Sequence, residues 1–181
     1  MNNIMLDFET WGTEPGSALR SIGATEFDPY DNGHGRKFYA NISDASCLDA
    51  GLVKTESTVK WWAHPSRREA NAMLMTDQRP LAEVADAFHQ FWRDCRSVFV
   101  WGQGASFDPV LWECAMRAIK RTAPWKFWDI RCTRTAYDMG QFNPRTVKFT
   151  GTPHHALHDS QHQVVCVQRA YANVHGKKKE S

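Results

Sequence analysis

The chain switches between two hydrophobic periods. Residues 3–8 (NIMLDF) read as a strand, ended by the segment that holds Gly12, Pro15 and Gly16. Residues 18–27 (ALRSIGATEF) read as a second strand. The turn-forming run DPYDNGHG follows, and 36–43 (RKFYANIS) alternates apolar and polar like a third. Links this short favour an antiparallel meander. The period then lengthens, and 46–76 reads as mainly helical. Pro80 opens a helix over 80–95, where Leu81, Val84, Ala85, Phe88 and Phe91 or Trp92 recur at helical spacing. SVFVW (97–101) is a fourth strand, apolar on both faces as a central strand is. A helix over 108–120, a short strand near 126–130, a helix over 131–139, a loop over 141–153 and a last helix over 155–174 complete the order. A meander followed by alternating β and α predicts an α/β fold, one mixed sheet with helices packed on it. No internal repeat, linker or low-complexity segment divides the chain.

The first strand carries an anomaly. In MLDFET, Asp7 and Glu9 lie two apart, so both side chains point to one face while Phe8 takes the other. Two carboxylates about 4 Å apart repel by roughly 4 kcal/mol at an effective dielectric of ~20. A shared proton, an Arg or Lys partner, or a bound cation would offset that. The first basic residue after them is Arg20.

Composition narrows the class. At 181 residues and 42% hydrophobic content, the chain suits one domain with a proper core. It has no apolar run long enough to cross a bilayer. The start MNNIMLDF lacks the basic and apolar regions of a signal peptide, so a cytoplasmic location is expected. Five scattered cysteines without a C-x-x-C pair read as reduced thiols. A net charge of +2 is not that of a protein that coats nucleic acid, but it suits an enzyme that meets nucleic acid at one cleft. Eight tryptophans offer rings on which single-stranded bases stack, although most are expected to fill core.

Three places set acids where they have a use. Asp7 and Glu9 lie on the first strand. Asp108 follows the fourth strand at a helix start, in WGQGASFD. Asp159 lies early in the last helix, in HHALHDSQHQ, five residues after His154. Five helical residues turn through ~500°, so a wholly helical pair would stand about 140° apart. The two converge only if His154 lies in the preceding loop, which Gly151 and Pro153 favour. Sites of open α/β sheets form at strand ends and adjacent helix starts. Asp7, Glu9, Asp108 and Asp159 would meet there, and four carboxylates in one pocket call for cations. Oxygen ligands suit Mg²⁺ or Mn²⁺, and two such ions serve phosphoryl displacement. A histidine beside them can take a proton from the attacking water.

The ordered set D-x-E, SFD and H-x-A-x-x-D resembles the DEDDh exonuclease superfamily, to which RNase T and polymerase proofreading exonucleases belong. DFETWGTEPGSALRSIGATEFDP, TVKWWA, VWGQGASFDPVLW and GTPHHALHDSQHQ are most similar to the branch of phage exonuclease A and mycobacterial RNase AS. The resemblance runs from residue 4 to about 170. It implies a ribonuclease H-like fold, with a five-stranded sheet of a three-strand antiparallel meander plus two parallel strands, in a single domain over 1–175 before a polar tail, 176–181. It implies 3′–5′ exonuclease activity with two divalent metal ions, Mg²⁺ or Mn²⁺, and release of nucleoside 5′-monophosphates. Asp7, Glu9 and Asp159 match the ligands of the first ion. Asp7 also bridges to the second, which Asp108 supports, and His154 matches the general base. By the same resemblance Thr10, Trp11, Trp61 and Phe107 are expected at the substrate. The partner is nucleic acid with a free 3′ end, single-stranded, with DNA slightly favoured over RNA, and a homodimer is possible for such enzymes. Many relatives carry two consecutive acids where this chain has His158-Asp159, and Ser160 replaces a common Ala.

Other readings bear on the same residues. His154, His155, His158 and His162 invite a zinc site, but no H-E-x-x-H pattern or cysteine pair supports it. His158-Asp159 resembles the dipeptide of HD-type phosphohydrolases, an all-helical family that the strands argue against. Arg67, Arg68, Arg131, Arg134, Arg145 and Lys148 are candidates for phosphate contacts, and Lys177–Lys179 for a weak attraction to nucleic acid. A silent module that only binds 3′ ends and a mononucleotide hydrolase are the alternative functions.

Overall fold

The structure is a computed structural model that describes residues 1–176. Strands β1 (Asn3–Thr10), β2 (Leu19–Phe27), β3 (Lys37–Asn41), β4 (Phe99–Gly102) and β5 (Ile130–Cys132) form one sheet in the order β3-β2-β1-β4-β5. β1, β2 and β3 are antiparallel neighbours, whereas β4 and β5 run parallel to β1 and to each other. This is the expected meander plus two parallel strands. The helices are α1 (Asp44–Asp49), α2 (Glu56–Trp62), α3 (Arg68–Leu74), α4 (Leu81–Asp94), α5 (Asp108–Ala118), α6 (Thr133–Met139) and α7 (Ala156–Gly176).

Side-chain alternation on β1 sorts the molecule into two layers. Ile4, Leu6 and Phe8 enter a large core with Phe88 and Trp92 of α4 and Leu111 and Trp112 of α5. Phe8 stacks on Trp112, with ring centroids 5.6 Å apart. Met5 faces the other way, into a smaller core with Trp101, Tyr137 and the apolar side of α7. Asp7 and Glu9 share the Met5 face. Across the β1–β2 ladder Asp7 stands opposite Gly23, Glu9 opposite Ser21 and Met5 opposite Thr25. These three β2 residues are small, which lets α7 lie close to the sheet. A Cβ on Gly23 would fall 2.1 Å from the Ala156 carbonyl carbon, so the first residue of α7 rests on the β2 backbone. Thr25 and Ser160 then hydrogen-bond at 2.8 Å. Ser160, a departure from the relatives' pattern, is thus a buried link between helix and sheet.

Several boundaries differ from expectation. The long helical region 46–76 is broken, because Gly51 ends α1 at φ 87° and Val53 bridges to Ser17. Pro65 then starts a 3₁₀ turn between α2 and α3. The fifth strand lies at 130–132 and not near 126–130, where a 3₁₀ turn occupies 127–129. Six tryptophans are buried, and only Trp61 and Trp128 are exposed. The expected tail over 176–181 lies outside the described residues, except Gly176, which ends α7. Among the described residues no helix is long and apolar enough to cross a membrane.

Candidate active site

The acids converge because three elements end at one place. β1 supplies Asp7 and Glu9, and the first turn of α7 supplies Asp159. One carboxylate oxygen from each lies within 4.8 Å of the others. Asp108 starts α5, where the helix dipole favours an anion. Its two oxygens accept from the backbone N–H of Phe8 (3.3 Å) and of Gln103 (3.1 Å), which ties α5 to β1 and to the end of β4. Asp108 therefore backs the trio and raises Asp7 electrostatically, rather than joining it. All four line a cleft of about 520 Å³ with Phe107, Arg134, Arg145, His154, His162 and Gln163.

Electrostatics at the cleft are unfavourable to the protein alone. Burial lifts Asp7 well above the usual carboxylate range, and Asp108, Glu9 and Asp159 raise it further. Burial and Asp159 push Glu9 from 4.5 to about 8. Burial takes Asp108 to about 7, against backbone N–H groups that pull it down. Asp159 reaches about 6, again through burial, with the amides of His155 and His154 acting in opposition. Arg20 partly offsets Glu9. Its guanidinium is buried between the rings of Trp11 (3.9 Å) and Trp62 (4.4 Å). Arg134, in the cleft wall, draws Asp108 down in the same way, yet the four acids remain raised, and a buried oxygen of Asp159 has no hydrogen-bond partner. Clustered, underpartnered carboxylate oxygens fit a hard divalent cation. The residues able to hold one are Asp7, Glu9 and Asp159, with Asp108 behind them. Among the described residues the histidines join no such cluster, which leaves the zinc reading without support.

His154 lies in the loop before α7, as convergence with Asp159 requires, with φ 61°. Its ring meets Trp61 edge-on at 4.9 Å and lines both the acidic cleft and an adjoining recess. Burial and Arg67 lower its pKa from 6.5, so the ring is neutral at pH 7 and has a nitrogen free to accept a proton. The recess, of about 420 Å³, also brings together Thr10, Trp61 and Phe107. Trp11 does not join them. The β1 register shifts between Glu9 and Thr10, and the Trp11 ring turns inward, donating from Nε1 to Asp44 at 2.6 Å. At 9% exposure, with Arg20 and Lys54 over its ring, the side chain offers no face to a substrate, which corrects the place expected for it. Of the candidate phosphate contacts, Arg134 and Arg145 line the cleft, whereas Arg67 lies on the Trp61 ring and Arg131 on Phe99. Lys177–Lys179 lie outside the described residues.

Gln163 was not anticipated. It lies one turn beyond Asp159 on α7 and donates from Nε2 to an Asp7 oxygen at 2.7 Å. Its Oε1 is buried without a partner. The i+4 spacing from Asp159 was the available signal.

A mixed sheet of this order with flanking helices is a ribonuclease H-like fold, and its four acids gather where β1, α5 and α7 meet. Residues 2–171 match the Rv2179c-like family, described as a 3′–5′ exoribonuclease domain, and the chain belongs to that family. Solved structures similar to it include an exonuclease I described as suggesting how processivity is achieved (TM-score 0.64, 14% identity, 97% of this chain and 41% of that one). Others are E. coli exonuclease I with a 5cy-dT13 oligonucleotide (TM-score 0.55, 14%, 98% and 41%) and exonuclease I from Methylocaldum szegediense (TM-score 0.56, 14%, 99% and 41%). At such identity they show the fold alone. The chain spans about two-fifths of their length. Comparison with curated proteins finds no match.

Proposed function

We propose that the protein removes nucleotides from the 3′ end of single-stranded nucleic acid by divalent-metal-dependent hydrolysis, with RNA as the preferred substrate. The observation that carries this is the trio of buried Glu9 and half-buried Asp7 and Asp159, backed by Asp108, a cluster whose carboxyls are all raised and which a divalent cation would relieve. Asp7, Glu9 and Asp159 would hold one divalent ion, and Asp7 with Asp108 would support a second. Bound there, such ions neutralise the charge on the scissile phosphate and its leaving oxygen. Arg134 and Arg145 stand in the same cleft to meet phosphates. Thr10, Trp61 and Phe107 offer the recess beside it to the terminal nucleoside. His154, neutral and between the two, takes the proton from the water that attacks the scissile phosphorus; the P–O3′ bond breaks, the 3′ oxygen of the shortened strand takes a proton from solvent, and a nucleoside 5′-monophosphate is released. The choice of RNA reverses the slight lean to DNA. The family match covers nearly the whole chain and is described as an exoribonuclease, whereas the DNA oligonucleotides belong to structures 14% identical over 41% of their length.

The test is one gel. The protein meets 5′-labelled single-stranded RNA and DNA of equal sequence with Mg²⁺, Mn²⁺ or EDTA, beside Asp7→Ala. A ladder that shrinks from the 3′ end, faster on RNA and absent with EDTA and in the variant, is the expected result. Shortening of DNA alone would return the DNA preference. No shortening of either would favour a silent 3′-end-binding module.

A further inference from the structure

The His154 loop has a fastener that the proposed chemistry does not use. Non-glycine residues reach the left-handed region at a cost of roughly 1–2 kcal/mol, so His154 at φ 61° must be held there. Three contacts hold it, and all meet on His158. The Thr152 N–H donates to His158 Nδ1 at 3.0 Å. Gly151, at φ 105°, lies so flat on the imidazole that a Cβ would come within 2.7 Å of its Cγ. His155 stacks on the other side of the link, 4.1 Å from His158 and 4.2 Å from Tyr39 of β3. Those ring planes lie within 23° and 18° of parallel, so the turn is clamped between α7 and the sheet. Because Nδ1 accepts this bond, the ring hydrogen lies on Nε2.

We propose that His158 is a positioning residue that fastens the 151–155 turn and so places the His154 ring at the cleft. The proposal rests on the reading of His154 as general base. His158→Phe keeps a ring for His155 but removes the acceptor. His158→Asn keeps an acceptor near the Nδ1 position but removes the ring. On the RNA substrate, His158→Phe is expected to lower kcat about 10–100-fold, the scale of an ångström of misplacement. KM and Mn²⁺ affinity by calorimetry are expected to stay within about twofold, and amide exchange at Thr152 to speed up. His158→Asn is expected to recover most of the loss. In a His154→Ala background His158→Phe is expected to change nothing further, because its effect passes through His154. Wild-type kcat in His158→Phe would overturn the proposal, as would a further loss in the His154→Ala background. If His158→Phe fails to fold, a folded His158→Asn with kcat as low as His154→Ala would overturn it equally. If the wild type shortens no nucleic acid, the reading of the site fails, while faster exchange at Thr152 still reports the fastening by itself.

Discussion

The two faces of β1 are built to opposite rules. Ile4, Leu6 and Phe8 face a core of aromatic and aliphatic side chains, whose edge admits the Arg20 guanidinium between Trp11 and Trp62. Met5, Asp7 and Glu9 face α7 across small β2 residues, and beyond Met5 the face turns acidic. One strand thus alternates between positions that stabilise the fold and positions that cost it stability. The large core can offset the acids because it shares their backbone. The lesson is that stability and the site are separable residue by residue, at 3.3 Å or so of rise along a single strand.

Substitutions on neighbouring positions would sharpen or break that contrast. Phe8→Ala, which removes the ring stacked on Trp112, is expected to lower unfolding free energy by about 3–5 kcal/mol in a denaturant titration. Gly23→Val strikes the seam between the layers. It forces α7 off the sheet and is expected to cost about 1–3 kcal/mol, with Mn²⁺ affinity falling as Asp159 withdraws from Asp7. Asp7→Asn is expected to do the reverse of Phe8→Ala. The metal-free protein gains about 1–2 kcal/mol, and nucleotide release vanishes. Ser160→Ala loses the bond to Thr25 and is expected to cost about 1 kcal/mol. If Asp7→Asn destabilised the metal-free protein, the faces would not differ as described.

How much of this was legible in the sequence follows from range. The period-2 alternation of β1 depends on neighbours alone, so the shared face of Asp7 and Glu9 was readable. So was the loop position of His154, since the helical angle to Asp159 forbids the alternative. Trp11 was misplaced because a one-residue register shift after Glu9 leaves no mark in composition. Arg20 and Gln163 were missed as site neighbours because their partners are set by which strand and helix pack together. The long helical region 46–76 concealed a turn at Gly51, where a positive φ decides more than propensity does. His158 read as a departure from the relatives' acids, and only the folded loop gives it a partner.

The central claim is that the acidic face is unstable until cations occupy it, and the melting temperature tests it most directly. Glu9, Asp108 and Asp159 have folded-state values raised to about 8, 7 and 6. A raised carboxyl contributes stability that is complete below its unfolded value, near 4, and is lost as pH rises through the folded value. In EDTA the melting temperature is therefore expected to fall between about pH 4 and pH 8, and Mn²⁺ is expected to restore it most at the alkaline end. The same series on Asp7→Asn is expected to fall less. A metal-free melting temperature that rises over that range, or one that Mn²⁺ leaves unchanged at pH 8, would contradict the account.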